Sequence, residues 1–162
     1  MSTLRVPGAL IGLGFLGVLA WTIVYLIAVL PGGDPGTIVV YEVTTTVGYV
    51  LAGLACWRWI VTSATAGAGG TAAVLPSRLM AVASFVTAAG VAALTYQLYQ
   101  NNRLFMLENL NLHYALRLTS DIAGVLGFLL AAAGFWMASM VKPGDGNAQQ
   151  PEQVGTSASL EN

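Results

Sequence analysis

Apolar residues run in long unbroken stretches along this chain, and polar residues collect where those stretches end. Four stretches stand out, at about 8–30, 38–61, 79–100 and 112–141. Each has roughly the 20 residues that an α-helix needs to cross the hydrocarbon core of a bilayer. Within them apolar residues are continuous instead of recurring every three or four positions, the pattern of helices that are apolar all round. The predicted fold is therefore an all-α integral membrane protein. A four-transmembrane-helix bundle over 1–142 is followed by a disordered C-terminal tail.

The breaks between stretches support this division. Positions 31–36 read Pro-Gly-Gly-Asp-Pro-Gly, a turn rich in helix breakers. A signal peptide is the rival reading of the first stretch, but its apolar region would be about 7–15 residues long. Here the run continues through Trp21 and Tyr25 to the turn, which favours a retained helix. Gly8 and Gly12 form a Gly-x-x-x-Gly pair, with Gly14 and Gly17 nearby, and such residues permit close helix approach. The second stretch closes on Trp57, Arg58 and Trp59, an aromatic and basic belt of the interfacial kind. Positions 62–77, rich in Ala, Gly, Ser and Thr and containing Pro76, read as a flexible loop. The connection 104–112 is half apolar and suits an amphipathic turn in the interface. From 143 to 162 the chain is rich in Gly, Pro, Gln, Asn and Ser and has no periodicity, hence the expected disorder. Its last residues, Ser159, Leu160, Glu161 and Asn162, resemble the start of a cleavable tag.

Composition narrows the class further. Of 162 residues 56% are hydrophobic and 8% charged, against about 25% charged in an ordinary soluble domain. Net charge is −1 and no basic–aromatic run exists, so nucleic acid is not an expected partner. One cysteine, Cys56, excludes an intramolecular disulfide and a multi-cysteine metal site. A single histidine, His113, excludes a bis-histidine haem within the chain, and the acids lack zinc-ligand spacing. No cofactor and no metal are expected. Arg5, Arg58, Arg78 and Lys142 fall on one side of the membrane, Arg103 and Arg117 on the other. That bias places both termini in the cytoplasm. The Ala and Gly richness points to a bacterial plasma membrane.

Candidate chemistry sits at the head of the fourth stretch. His113, Arg117 and Asp121 are four apart, so on a helix they stack along one face, and no charge follows from 122 to 141. Glu42 on the second stretch and Tyr96, Gln97 and Gln100 on the third fall at the same end of the predicted bundle. A charge at the bilayer centre costs about 2.5–3.5 kcal/mol on the insertion scale, less near an interface where side chains snorkel. Arg117 is the natural partner of Asp121, of Glu42, or of both. Three readings of the group are open: a salt-bridged lock, a ligand site, or a contact to another subunit. The corresponding functions are an accessory or assembly subunit of a larger membrane complex, or a module binding a lipid or a small molecule such as a quinone. Expected partners are membrane lipids and other membrane subunits or a second copy of the chain. No complete catalytic constellation is evident, so an enzyme is not the leading reading.

The alternative is catalytic. Thr44, Thr45 and Thr46 lie early on the second stretch, an apolar third stretch follows, and Leu112-His113-Tyr114 opens the fourth. That order, over the middle of the chain, resembles the androgen-induced family of membrane hydrolases and its bacterial relatives. The resemblance implies a Thr–His pair, here Thr45 and His113, cleaving a lipid ester.

Overall fold

The computed structural model describes residues 4–29, 35–65, 71–101 and 112–141. They form four α-helices: α1 Arg5–Val29, α2 Pro35–Thr65, α3 Thr71–Asn101 and α4 Leu112–Ser139. Each is long and apolar enough to cross a membrane. Large apolar side chains such as Leu16, Ile23, Leu51, Val82, Phe85 and Leu126 point outward. On a water-soluble protein so many would be a liability, whereas on a multi-pass membrane protein they are the lipid face. The expected interfacial turn over 104–111 and the tail over 143–162 lie outside the described residues.

Helix boundaries differ from the sequence reading, those of α2 and the start of α3 for local reasons. Helix α2 starts at Pro35, inside the run read as a turn. Proline at a first helical position costs nothing, because its missing N–H would have no partner there. The same helix continues to Thr65, four residues past the expected end. The Thr62 hydroxyl donates to the carbonyls of Arg58 and Trp59, both at 3.0 Å, so this polar residue is absorbed by the helix. Most of 62–77 is therefore helix and not loop. Helix α3 begins at Thr71 and carries Pro76 within its first turns. Beside the proline, the Ser77 hydroxyl donates to the Ala73 carbonyl at 2.9 Å, engaging an acceptor in the turn that the ring disturbs.

Helix α4 is the hub. Half of its membrane span is buried within the bundle, against 17% for α2 and for α3. It lies between α1 and α3, and α2 closes the ring with lighter packing on α1 and α3. The α1–α4 seam is closed by glycines. A methyl group on Gly14 would stand 2.7 Å from the Gly127 carbonyl oxygen, and one on Gly127 would stand 2.8 Å from the backbone N of Val18. Side chains at either position would have to push the two backbones apart. The close pair is thus Gly14 with Gly17 against Gly127. Gly12, half of the Gly-x-x-x-Gly pair in the sequence, faces open space, and Gly8 makes room for the Trp57 ring.

Helix α2 is held differently. Phe15 meets Tyr49 edge-on at 5.8 Å, and Tyr49 meets Phe128 at 5.1 Å, so a chain of rings joins α1, α2 and α4. Two side-chain hydrogen bonds add to it. Thr22 and Thr46 join α1 to α2 at 2.7 Å, and Tyr49 and Ser84 join α2 to α3 at 2.7 Å. Cys56 is a free thiol buried among Phe15, Ile60 and Phe135.

Candidate functional site

Alternating helix direction brings the C-terminal ends of α1 and α3 beside the N-terminal ends of α2 and α4. At that end the four helices part around a cavity of about 470 Å³. Trp21 and Tyr25 line it from α1, Glu42 from α2, Val91, Leu94, Thr95 and Gln97 from α3, and Arg117 and Asp121 from α4. The opposite half of the bundle is packed by Ile11, Phe15, Ile60, Ala131 and Phe135.

Asp121 is buried, and its Oδ1 accepts the indole N–H of Trp21 at 3.1 Å. The geometry depends on Gly124, one turn further along α4. A methyl there would stand 2.6 Å from the Trp21 ring, so the glycine lets the indole lie flat on α4 and reach back to the carboxylate. Trp21 also packs edge-on against Phe128 at 5.9 Å. Its position is thus set by packing on two sides and a charge-assisted hydrogen bond at its tip.

Arg117 behaves otherwise than the sequence suggests. The i, i+4 spacing predicts a pair with Asp121, and the matching depth of Glu42 predicts a second. Among the described residues Arg117 forms neither, and its Nε is buried without a hydrogen-bond partner. The guanidinium lies 5.8 Å from the centre of the Tyr25 ring, a cation–π approach across to α1. The physical reason is competition. Trp21 already occupies Asp121, and an Arg preceding Asp by four residues is the weaker helical order. Glu42 is half-buried on the cavity wall, and among the described residues no hydrogen bond or ion pair reaches its carboxylate.

The structure therefore brings Glu42, Gln97, Arg117 and Asp121 to one cavity and leaves other candidates apart from it. Tyr96 and Gln100 are exposed on α3 and bond to each other, Gln100 Nε2 donating to Tyr96 Oη at 2.8 Å. Tyr96 instead lines an apolar groove of about 370 Å³ between α3 and α4, with Ala92, Tyr99, Leu118, Ile122 and Leu126. Thr95 and Asp121 line both the groove and the cavity, so the two adjoin. His113 falls in the first turn of α4, and its side chain lies outside the described residues. Thr45 is exposed on the far side of α2, in a shallow trough with Tyr41, Thr44 and Gly48. Its hydroxyl is turned back onto the Tyr41 carbonyl of its own helix. Thr46, one residue on, points inward to Thr22.

Trp21 and Tyr25 were not singled out by the sequence reading. A signal existed: two polar-tipped aromatics one turn apart in the charge-free stretch 8–30, one of them with an indole N–H that needs an acceptor when buried. Among the described residues no group of three or more His, Cys, Asp and Glu could hold a metal ion. No protein-family model, curated protein or solved structure matches the chain.

Proposed function

We propose that this protein is a non-enzymatic membrane module that binds an amphiphile, with the polar end of the ligand in the four-helix cavity and its apolar part in the α3–α4 groove. The observation that carries the reading is the Arg117 guanidinium, which lines the cavity with its Nε buried and unpartnered. Arg117 is half-buried, an enclosed N–H without an acceptor is costly, and an acceptor brought to the guanidinium relieves part of that cost. The adjoining groove supports a ligand with an apolar tail, since Tyr96, Leu118, Ile122 and Leu126 lie beside the polar space. On this reading the cavity lies near the outer face of a bacterial plasma membrane with both termini inside. The charge bias supports it, because Arg5, Arg58 and Arg78 all lie at the opposite end of the bundle.

Native mass spectrometry of the protein released from mild detergent tests the proposal. One retained lipid-like molecule per chain is expected, with retention falling in Arg117→Gln. Ligand-free protein, or retention unchanged by that substitution, overturns it. Covalent labelling of Thr45 by a lipid-like fluorophosphonate would instead establish the hydrolase alternative. Orientation is read from cysteines placed at Gly33 and Gly69 in a Cys56→Ser background. The first should react with an impermeant maleimide from outside and the second should not.

A second reading, an accessory or assembly subunit, draws on a different observation. Gly12, Gly48 and Gly90 face outward with nothing within 4 Å, leaving small-residue surfaces on three helices where another membrane helix could pack. A second protein in constant ratio after purification in mild detergent would favour it.

A further inference from the structure

The charges around the cavity do not suit a simple anion or a simple cation. One guanidinium faces two carboxylates, so a site with all three ionised carries net charge −1. Asp121 is served by the Trp21 indole, whereas Arg117 Nε lacks an acceptor and Glu42 lacks a donor among the described residues. The two unserved groups line the same cavity from opposite sides of the ring of helices, Arg117 on α4 and Glu42 on α2. They do not satisfy each other. A purely anionic headgroup would suit Arg117 and be repelled by Glu42 and Asp121. A purely cationic one would leave Arg117 without an acceptor.

We infer that the amphiphile is a zwitterionic phospholipid of the ethanolamine type, its phosphate accepting from Arg117 and its ammonium donating to Glu42. The inference rests on the amphiphile reading above. A phosphate presents several acceptor oxygens to a planar guanidinium fork. A primary ammonium brings three N–H donors to a carboxylate that has none. A quaternary ammonium would bring no donor, so ethanolamine suits Glu42 better than choline. Tyr25 of α1 lies under the guanidinium, its ring centre 5.8 Å away, and gives Arg117 a contact other than the two acids. The acyl chains leave through the groove that shares Thr95 and Asp121 with the cavity and is walled by Ile122 and Leu126. Bound headgroup and protein together then neutralise every charge in the site except the Asp121 carboxylate, which keeps its indole donor.

The test is competitive loading of the full-length protein in detergent with an equimolar mixture of ethanolamine and glycerol phospholipids of identical chains, read by native mass spectrometry. The ethanolamine lipid should be retained over the anionic glycerol lipid by about fivefold or more, the scale of one partly screened charge pair. Glu42→Gln should abolish that preference while the protein still retains lipid, and Arg117→Gln should reduce retention of both lipids. Equal or greater retention of the glycerol lipid by the unaltered protein, or a preference unchanged in Glu42→Gln, overturns the zwitterion. In either case lipid retention that still depends on Arg117 leaves the amphiphile site standing, whereas retention independent of Arg117 removes both. Circular dichroism of each variant must show the helical content of the parent, and Glu42→Asp should restore part of the preference.

Discussion

Helices α1 and α4 meet backbone to backbone, and α2 meets its neighbours mainly through side chains, rings and hydroxyls. At the first seam Gly14, Gly17 and Gly127 remove every atom that would hold the helices apart. Around α2 the contacts are the rings of Phe15, Tyr49 and Phe128 and the hydroxyl pairs Thr22–Thr46 and Tyr49–Ser84. In lipid the hydrophobic effect gives helices little reason to associate, so packing and interhelical hydrogen bonds must do so. Where its glycines lie, the first seam draws on dispersion at close range and leaves no space. The other draws on bulky rings and directional polar contacts, and beyond them the helices part to form the cavity. A bundle with both kinds of contact has a packed half and a half that holds a cavity.

The sharpest way to break this contrast is Gly127→Leu. Backbone atoms of Gly14, Gly17 and Val18 surround the position, so the new side chain cannot be absorbed by a rotamer change. Destabilisation of about 3 kcal/mol or more is expected, the upper end for overpacking. Gly12→Leu, facing open space on the same helix as Gly14, should change stability by no more than about 0.5 kcal/mol, as surface substitutions do. Both are measured by unfolding in mixed micelles of mild detergent and dodecyl sulfate. Equal effects at the two positions would mean that the seam is not the close contact described.

Next in size is Trp21→Phe. It keeps the ring packing on Gly124 and Phe128 and removes the indole donor, leaving the buried Asp121 carboxylate without it. A loss of about 2 kcal/mol is expected for a hydrogen bond to a charged group. The loss should be much smaller in an Asp121→Leu background, since the acceptor is then absent. Thr22→Val addresses the α2 side. Interhelical hydrogen bonds within membranes average about 0.6 kcal/mol, so the cost should be of that order and vanish in a Thr46→Val background. A cost equal to that of Trp21→Phe would show that α2 is anchored as firmly as α1.

The smallest expected effect concerns Arg117. With no salt bridge to Glu42 or Asp121 among the described residues, the double-mutant cycle of Arg117→Gln with Glu42→Gln should give coupling below about 0.5 kcal/mol in ligand-free protein. Coupling above about 1 kcal/mol would restore the interhelical ion pair that the spacing alone suggests.

Four apolar runs, each long enough for a bilayer, determined by themselves that the chain is a four-helix membrane protein, because hydropathy over some twenty residues is a local property. The polar end was legible too. Alternating helix direction follows from short connections, so Glu42, Gln97, Arg117 and Asp121 had to fall at a common depth. Local rules also misled. Pro35 and Pro76 read as breakers, although Pro35 sits at a first helical position, where proline is tolerated, and Pro76 is carried inside α3. The choice among glycines was decided only by tertiary structure, since whether Gly12 or Gly14 faces α4 depends on how α1 is rotated about its axis. So was the partner of Asp121. Spacing along one helix nominated Arg117, four residues away, but a carboxylate in lipid takes whichever donor packing fixes beside it. Gly124 fixes the Trp21 indole there from a helix a hundred residues earlier in the chain. That exchange leaves Arg117 facing the cavity without an acceptor, and no pattern in the sequence records it, because it depends on two helices meeting at a glycine.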